Sequence, residues 1–409
     1  MNFSWFIAQR MQGRSKSKNS IARPVLRIAV WAIGLGMAIM ILALATGNGL
    51  RQAIAQKVYR FNGAIQISPY QMRPGFSDRA VVLNDSIRLA LREHPGVEHL
   101  QAYGNKAGIA RAGESYEGVI WKGIDSSFAW QDLQPYLRSG SFFSLAGKDY
   151  QDSVLVGQLL ARRLKLEVGS PLELYFLRRE GPPLLRRLVV AGIFATDFSA
   201  IDAQYLLGDL KHIRRLNRWD EAAVGGYSLY LKPGYHPTEV ARELRPKLPL
   251  AYDALSLRER ESQLFQWLDL FDLNILLIVV IILIVATVNI SIALLILIME
   301  RRQMIGILKA LGAGSRQLRN VFLLQALFLI GRGLFWGNLI GLGLAVLQDR
   351  FGLIKLDPQT YFVSTVSIVL NPLHIVGLNL ITALICLICL LLPALLIGRI
   401  DPVKAIRFE

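Results

Sequence analysis

The sequence predicts a membrane protein of four transmembrane α-helices with a large α+β extracytoplasmic domain inserted between helices 1 and 2. Three observations predict it. Four apolar runs, 28–47, 273–299, 321–347 and 373–398, reach the ~20 residues that cross ~30 Å of hydrocarbon at 1.5 Å per residue. More than two hundred mostly polar residues separate the first run from the second, and only short segments separate the others. The basic residues gather in some of those short segments and not in others.

Orientation follows from that gathering. The tail 1–27 holds Arg10, Arg14, Lys16, Lys18, Arg23 and Arg27 and no acidic residue. The loop 300–320 holds Arg301, Arg302, Lys309, Arg316 and Arg319 against Glu300, and the tail 399–409 adds Arg399, Lys404 and Arg407 against Asp401 and Glu409. The loop 348–372 is balanced, Arg350 and Lys355 against Asp349 and Asp357. Short basic loops stay in the cytoplasm, so both termini and 300–320 are expected inside, with 48–272 and 348–372 outside.

The net charge of +16 is thereby explained without nucleic acid. The inner segments carry fourteen basic against three acidic residues, a net of +11, and Arg332 adds one. That leaves +4 for the outward domain, too little for a basic binding face, so the charge reads as topology and attraction to anionic lipid. The first run, preceded by a 27-residue basic tail, reads as a retained anchor rather than a cleaved signal. Phe3, Trp5, Phe6 and Ile7 suit either a short helix lying in the inner interface or a frayed tail.

The outward domain mixes α and β. DSIRLALREH (85–94) has helical spacing and stops at Pro95-Gly96. KAGIAR (106–111) and YEGVIWKGID (116–125) alternate as strands around a Gly113-Glu114-Ser115 turn. DSVLVG, SPLELYFL, LRRLVVAGIFAT and GYSLYL read as strands; QLLARRLKL, QYLLGDLKHIRRL and TEVARELRPKL read as helices. Irregular interleaving of the two favours α+β over a doubly wound sheet.

Catalytic chemistry is not apparent. The five histidines have no metal-ligand spacing, and neither G-x-S-x-G nor G-x-x-x-x-G-K-[ST] occurs. Asp197 and Asp202 are expected to cap a turn rather than act as paired acids. Cys386 and Cys389 lie within the fourth run, where they read as small apolar side chains.

Residues 300–320 are more specific. Ile305, Leu308 and Leu311 recur at i, i+3, i+6 beside Arg301, Arg302 and Lys309, and Gly312 stops the helix. Such a helix either docks in a groove of a soluble partner or lies on the lipid surface.

ERRQMIGILKALGA (300–313) resembles the coupling-helix signature of the FtsX-like permeases of ABC transporters, whose layout of one span, a large outward domain and three spans is the same. The lipoprotein-releasing (LolC/LolE) branch is the most similar from end to end, in the opening around RIAVWAIGLGMAIMILALATGNGL, in VLVGQLLARRLKLEVGSPLEL and RRLVVAGIFATDFSAIDAQYLL, and in the closing LPALLIGRIDPVKAIRFE. The resemblance implies a multi-pass protein of the bacterial inner membrane with a periplasmic domain, and a dimer with a second copy or a sister permease. It implies two copies of an ABC-type ATPase that hold the cofactors ATP and Mg, none being expected in this chain. It implies a lipoprotein substrate drawn from the outer leaflet, and a periplasmic carrier that receives it. The alternatives in the same family are an efflux permease of the macrolide-exporter type and a mechanical transmitter that activates a cell-wall hydrolase.

Residue by residue, the resemblance assigns ATPase coupling to Arg301, Arg302, Met304, Ile305, Leu308, Lys309, Leu311 and Gly312. Met304 replaces the acidic residue many relatives carry, shifting weight to apolar contacts. A substrate cavity is expected between Met37, Met40, Ile41 and Leu44 on span one and Phe271, Leu276, Val279 and Leu283 on span two; each also suits ordinary helix contacts or lipid. Tyr361 and Phe362 match an aromatic pair at the substrate entrance and equally suit interfacial anchoring. The proline that relatives place soon after that pair is delayed to Pro372. Asn289 is expected to bond across helices, and Arg332 to reach a partner helix or a lipid headgroup.

Overall fold

A computed structural model describes residues 22–70, 78–147, 149–177, 182–357, 361, 363–395 and 397. The interfacial helix expected before residue 22, Phe362 of the aromatic pair, and most of the closing segment fall outside the described residues. The chain forms two compact units, one helical (Met1–Arg51, Asp269–Lys355, Thr365–Glu409) and one α+β (Gln52–Leu268, Leu356–Ser364).

The first helix, α1 (Ala22–Asn62), is about 60 Å long, twice what a bilayer core needs. It continues past the apolar run because the sequence turns amphipathic there: Leu50, Ile54, Val58 and Phe61 are all buried, at near-helical spacing. Gly63 ends it, with φ +79° and an N–H donated to the Tyr59 carbonyl.

Among the described residues the α+β unit is built on ten strands: β1 (Ile65–Pro69), β2 (Val97–Ala112), β3 (Ser115–Ile124), β4 (Leu137–Gly140), β5 (Ser153–Gly157), β6 (Pro171–Phe176), β7 (Leu184–Phe194), β8 (Tyr205–Asp209), β9 (Gly226–Leu231) and β10 (Tyr252–Ser256). They join in the order β10-β1-β9-β2-β3-β8-β5-β7-β4. The 16-residue β2 belongs to two assemblies. Its first half pairs with β9, and its second half pairs with β6 on the edge opposite β3. Because β6 also pairs with β7, the strands β2-β3-β8-β5-β7-β6 close into a ring that leaves no free edge between them. Helices α2 (Asp85–Arg92), α3 (Trp130–Leu133), α4 (Gln158–Leu164), α5 (Ser199–Gln204), α6 (Leu210–Asn217), α7 (Pro237–Leu244) and α8 (Leu257–Arg260) complete the unit. Ile67, Leu100, Trp121, Val156, Phe176 and Leu229 mark its core.

One expected helix divides. QYLLGDLKHIRRL is strand β8 followed by α6, because Tyr205–Asp209 is taken between β3 and β5 and Asp209 then caps α6 by accepting the Lys211 N–H at 2.9 Å. Apolar residues at 206, 207, 210 and 213 fit either period, so the pattern alone joined them. The Gly113 turn is as expected, with φ +58°. Asp202 lies in the first turn of α5 and its side chain caps the turn before it: its carboxylate accepts from the Thr196 N–H at 2.9 Å and hydroxyl at 2.7 Å.

The helical unit comprises parts of α1 and of α9 (Ser262–Glu300), with α10 (Arg302–Ala310), α11 (Ser315–Phe351), α12 (Pro372–Cys389) and α13 (Leu391–Leu395). Among the described residues four helices are long and apolar enough to cross a membrane: α1, α9, α11, and α12 taken together with α13. Like α1, α9 outruns its apolar segment, with 39 residues against the 27 expected. Arg51 ties the two where their apolar runs end, 2.6 Å from Asp272 and 3.3 Å from Asp269.

Lipid offers helices no hydrophobic reason to associate, so small residues and polar pairs do it. Gly333, Gly337 and Gly341 of α11 lie on α1: a Cβ at 337 would stand 2.6 Å from the Gly34 carbonyl oxygen and the Met37 Cβ, and one at 341 would stand 3.0 Å from the Ala38 Cα. The cross-helix amide bond anticipated at Asn289 is found instead between Asn338 of α11 and Asn379 of α12. Each donates to the other, at 2.7 and 3.0 Å, and to its own i−4 carbonyl. Cys386 is buried among Ile290, Phe322 and Leu390, a small apolar core residue.

Candidate functional site

The turn helix α10 joins α9 to α11. Ile305 is fully buried against Leu294, Leu318 and Phe322, with Met304 and Leu308 half-buried beside it. This takes Ile305 out of the docking stripe expected at Ile305, Leu308 and Leu311, and leaves Leu311 exposed. A nine-residue helix has one broad apolar face, and burying it on the bundle removes Ile305 from any partner's reach. The outward face is Gln303, Ile307 and Leu311, at i, i+4, i+8, with Arg302 and Ala310 alongside. Ile307 is 45% and Leu311 79% exposed, apolar surface that water does not favour. Ile307 was not anticipated, although its place two residues from Ile305 marks the opposite side of a helix. Arg301 and Lys309 are half-buried, Arg302 and Gly312 exposed, and Gly312 ends the turn with φ +93°. Arg301 and Arg319 each bury an Nε without a hydrogen-bond partner among the described residues.

Between α1 and α9, six of the eight residues expected to line a cavity come together. Met37, Met40, Ile41 and Leu283 are buried in one cluster with Leu378 of α12, and Leu44 and Val279 pack at its margin. Phe271 is half-buried outside the cluster, and Leu276 is 57% exposed. Ile275 takes the position expected of Leu276, since it is Ile275 that meets Gly47 of α1. Met37, Met40, Ile41 and Leu283 are thus packed together in the seam. The seam opens at Leu44 into a cleft lined by Asn48, Asn371, His374 and Ile375. Tyr361, in the α+β unit, is 43% exposed.

The α+β unit also holds a polar knot that sequence reasoning missed. Lys122 of β3 is 3% exposed. Its ammonium donates to the Phe61 carbonyl and, at 3.2 Å, to the Asn62 side chain, and lies 4.2 Å from the Phe61 ring centroid. Asp78 accepts the Asn105 N–H at 2.6 Å, and Arg260, two residues before α9, donates to Ser68 at 3.4 Å. Burial pushes the Asp78 carboxyl up to about 6 and the Lys122 ammonium down to about 7, with Asn105, Arg260 and Lys122 opposing the first shift and Asp78 the second. The groups that meet come from the end of α1, from the segment before α9 and from β3. The signal was present in VIWKGI: a lysine amid a run buried on both strand faces needs an internal partner.

Comparison with known proteins gives these features a family. A family model described as the MacB-like periplasmic core domain matches residues 28–247, more than half of the chain. A second, the FtsX-like permease C-terminal, matches residues 276–402. The chain belongs to the FtsX-like permeases that carry a MacB-like periplasmic core, and it is a multi-pass membrane protein. It is similar to a lipoprotein-releasing system transmembrane protein LolC of Xylella fastidiosa, at 21% identity covering 97% of each chain. Two further relatives are from Haemophilus influenzae. LolC is 24% identical over 100% of each chain, and LolE 19% identical over 99% of each.

Proposed function

We propose that this chain is the permease subunit of an inner-membrane ABC transporter that releases lipoproteins. A partner ATPase holding ATP and Mg would supply the energy, and a second copy or a sister permease would complete the assembly. The observation that carries this reading is end-to-end similarity to both LolC and LolE. The basic short loops favour cytoplasmic termini and an outward α+β unit between the first two spans.

In this reading the ATPase grips α10 by Ile307 and Leu311, with Arg302 beside them. Force applied there passes into α9 and α11, because Ile305 roots α10 in their shared core. The α1–α9 seam then serves as the acyl-chain site, opened by separation of the two helices and emptied by their closure. Drawing three acyl chains from a bilayer takes tens of kcal/mol at ~0.8 kcal/mol per CH₂, so an apolar seam lined by flexible methionines is a suitable intermediate host.

The test is to purify the chain with its ATPase from native membranes and identify bound species by mass spectrometry. An acylated protein that leaves on addition of MgATP supports the reading. A complex that holds a cell-wall hydrolase or its adaptor and no acylated protein refutes it.

A further inference from the structure

We propose that Arg27, Trp31, Arg332 and Trp336 form a binding site for the phosphate headgroup of an anionic phospholipid on the flank of the helical unit. The site follows from helix register. Positions 333, 337 and 341 of α11 meet, in that order, Val30 and Ile33, Gly34 and Met37, and Ala38 of α1, so the two helices run parallel. That close approach stacks Trp31 on Trp336, with ring centroids 6.2 Å apart and planes inclined at 29°. Each tryptophan follows an arginine by four residues on its own helix, Arg27-x-x-x-Trp31 and Arg332-x-x-x-Trp336. An i, i+4 pair shares one face of a helix, one turn or ~6 Å apart. Parallel helices with stacked tryptophans therefore hold both guanidinium groups at one level, on one side, and both arginines are exposed.

The same register removes an anomaly. Arg332 lies mid-run in its own helix, yet on α1 it stands beside the start of the apolar run, at the depth of Arg27. Ile28, Leu35 and Phe335 around it are 66%, 59% and 64% exposed, so the arginines emerge from an apolar flank. Among the described residues neither arginine has a carboxylate partner. Two positive charges flanked by exposed apolar side chains are costly without an anion, and the bilayer itself supplies one. A phosphodiester accepts guanidinium hydrogen bonds in bidentate fashion, and tryptophans favour headgroup depth. Which leaflet provides the lipid rests on the orientation proposed above.

The test is native mass spectrometry of the full chain with its ATPase, in detergent, with equal amounts of phosphatidylglycerol and phosphatidylcholine. Wild type should retain phosphatidylglycerol selectively. Arg332→Gln should weaken retention ~5-fold and the Arg27→Gln/Arg332→Gln double variant ~30-fold, since each basic residue near anionic lipid contributes about 1 kcal/mol. Arg350→Gln, at the other end of α11, should change nothing, and Arg27→Lys/Arg332→Lys should keep part of the binding. Undiminished retention by the double glutamine variant, or equal retention of phosphatidylcholine, overturns the proposal. Displacement of the lipid by millimolar inorganic phosphate overturns its commitment to lipid. Dissociation of paired permeases by Arg332→Gln with lipid retention unchanged overturns it in favour of a protein partner. Labelling of Ile28→Cys from the outer side only would overturn the orientation and leave the site standing.

Discussion

Gly337→Ala isolates the contact that spaces α1 and α11. The added Cβ would stand 2.6 Å from the Gly34 carbonyl oxygen and from the Met37 Cβ, where ordinary contact begins at 3.4 Å. The helices must then separate by close to an ångström, because a carbonyl and a Cβ cannot turn aside as a side-chain end can. Overpacking of this kind costs about 1–3 kcal/mol. Gly343→Ala is the control on the same helix, since its Cβ meets nothing within 4 Å, and it recovers helix propensity of up to ~1 kcal/mol. The measurement is the thermal midpoint of the full chain in detergent. Gly337→Ala and Gly333→Ala, whose Cβ would meet Ile33 at 2.7 Å, should fall furthest, Gly341→Ala less, and Gly343→Ala not at all. Equal midpoints for Gly337→Ala and Gly343→Ala would refute the argument that backbone contact sets this spacing.

Three further outcomes are expected. Leu311→Glu should weaken ATPase binding ~10- to 100-fold, the cost of about 1.5–3 kcal/mol for one leucine left unburied, with the thermal midpoint unchanged. Ile305→Ala should instead lower stability by about 2–5 kcal/mol, and the reverse pattern in a binding titration would restore Ile305 to the docking face. For Lys122, the unfolded chain binds the proton that the folded chain releases between pH 7 and 10.5, so stability should climb across that window. Lys122→Met should abolish the climb, worth on the order of 5 kcal/mol. Asp78, raised from 3.8 to about 6, should give the opposite slope below pH 6, removed in Asp78→Asn; midpoints recorded against pH decide both. A double-mutant cycle of Asn338→Leu and Asn379→Leu should give a coupling near ~1 kcal/mol, and additive losses would mean that the reciprocal amides contribute nothing as a pair.

What the sequence by itself determined is everything that depends on neighbours along the chain. Length and hydropathy placed four spans, because a bilayer filters on consecutive apolar residues. Alternation and turn residues placed most of the strands, including the Gly113 hairpin. The amphipathic character and the stop of α10 were legible too, and so was the meeting of the Met37–Leu44 stripe with Val279 and Leu283. Tertiary structure alone decided which side of each element faces what. The stripe on α10 signals burial without naming what covers it, and the bundle took Ile305 and left Ile307 and Leu311. Polar residues that follow an apolar run look like its end, yet α1 and α9 continue because each covers part of its length with partners distant in sequence. Lys122 and Asn62 are sixty residues apart, and Trp31 and Trp336 more than three hundred. Such meetings are set by how closely glycines let two backbones approach and by which strands close the ring, neither of which any local window of sequence contains.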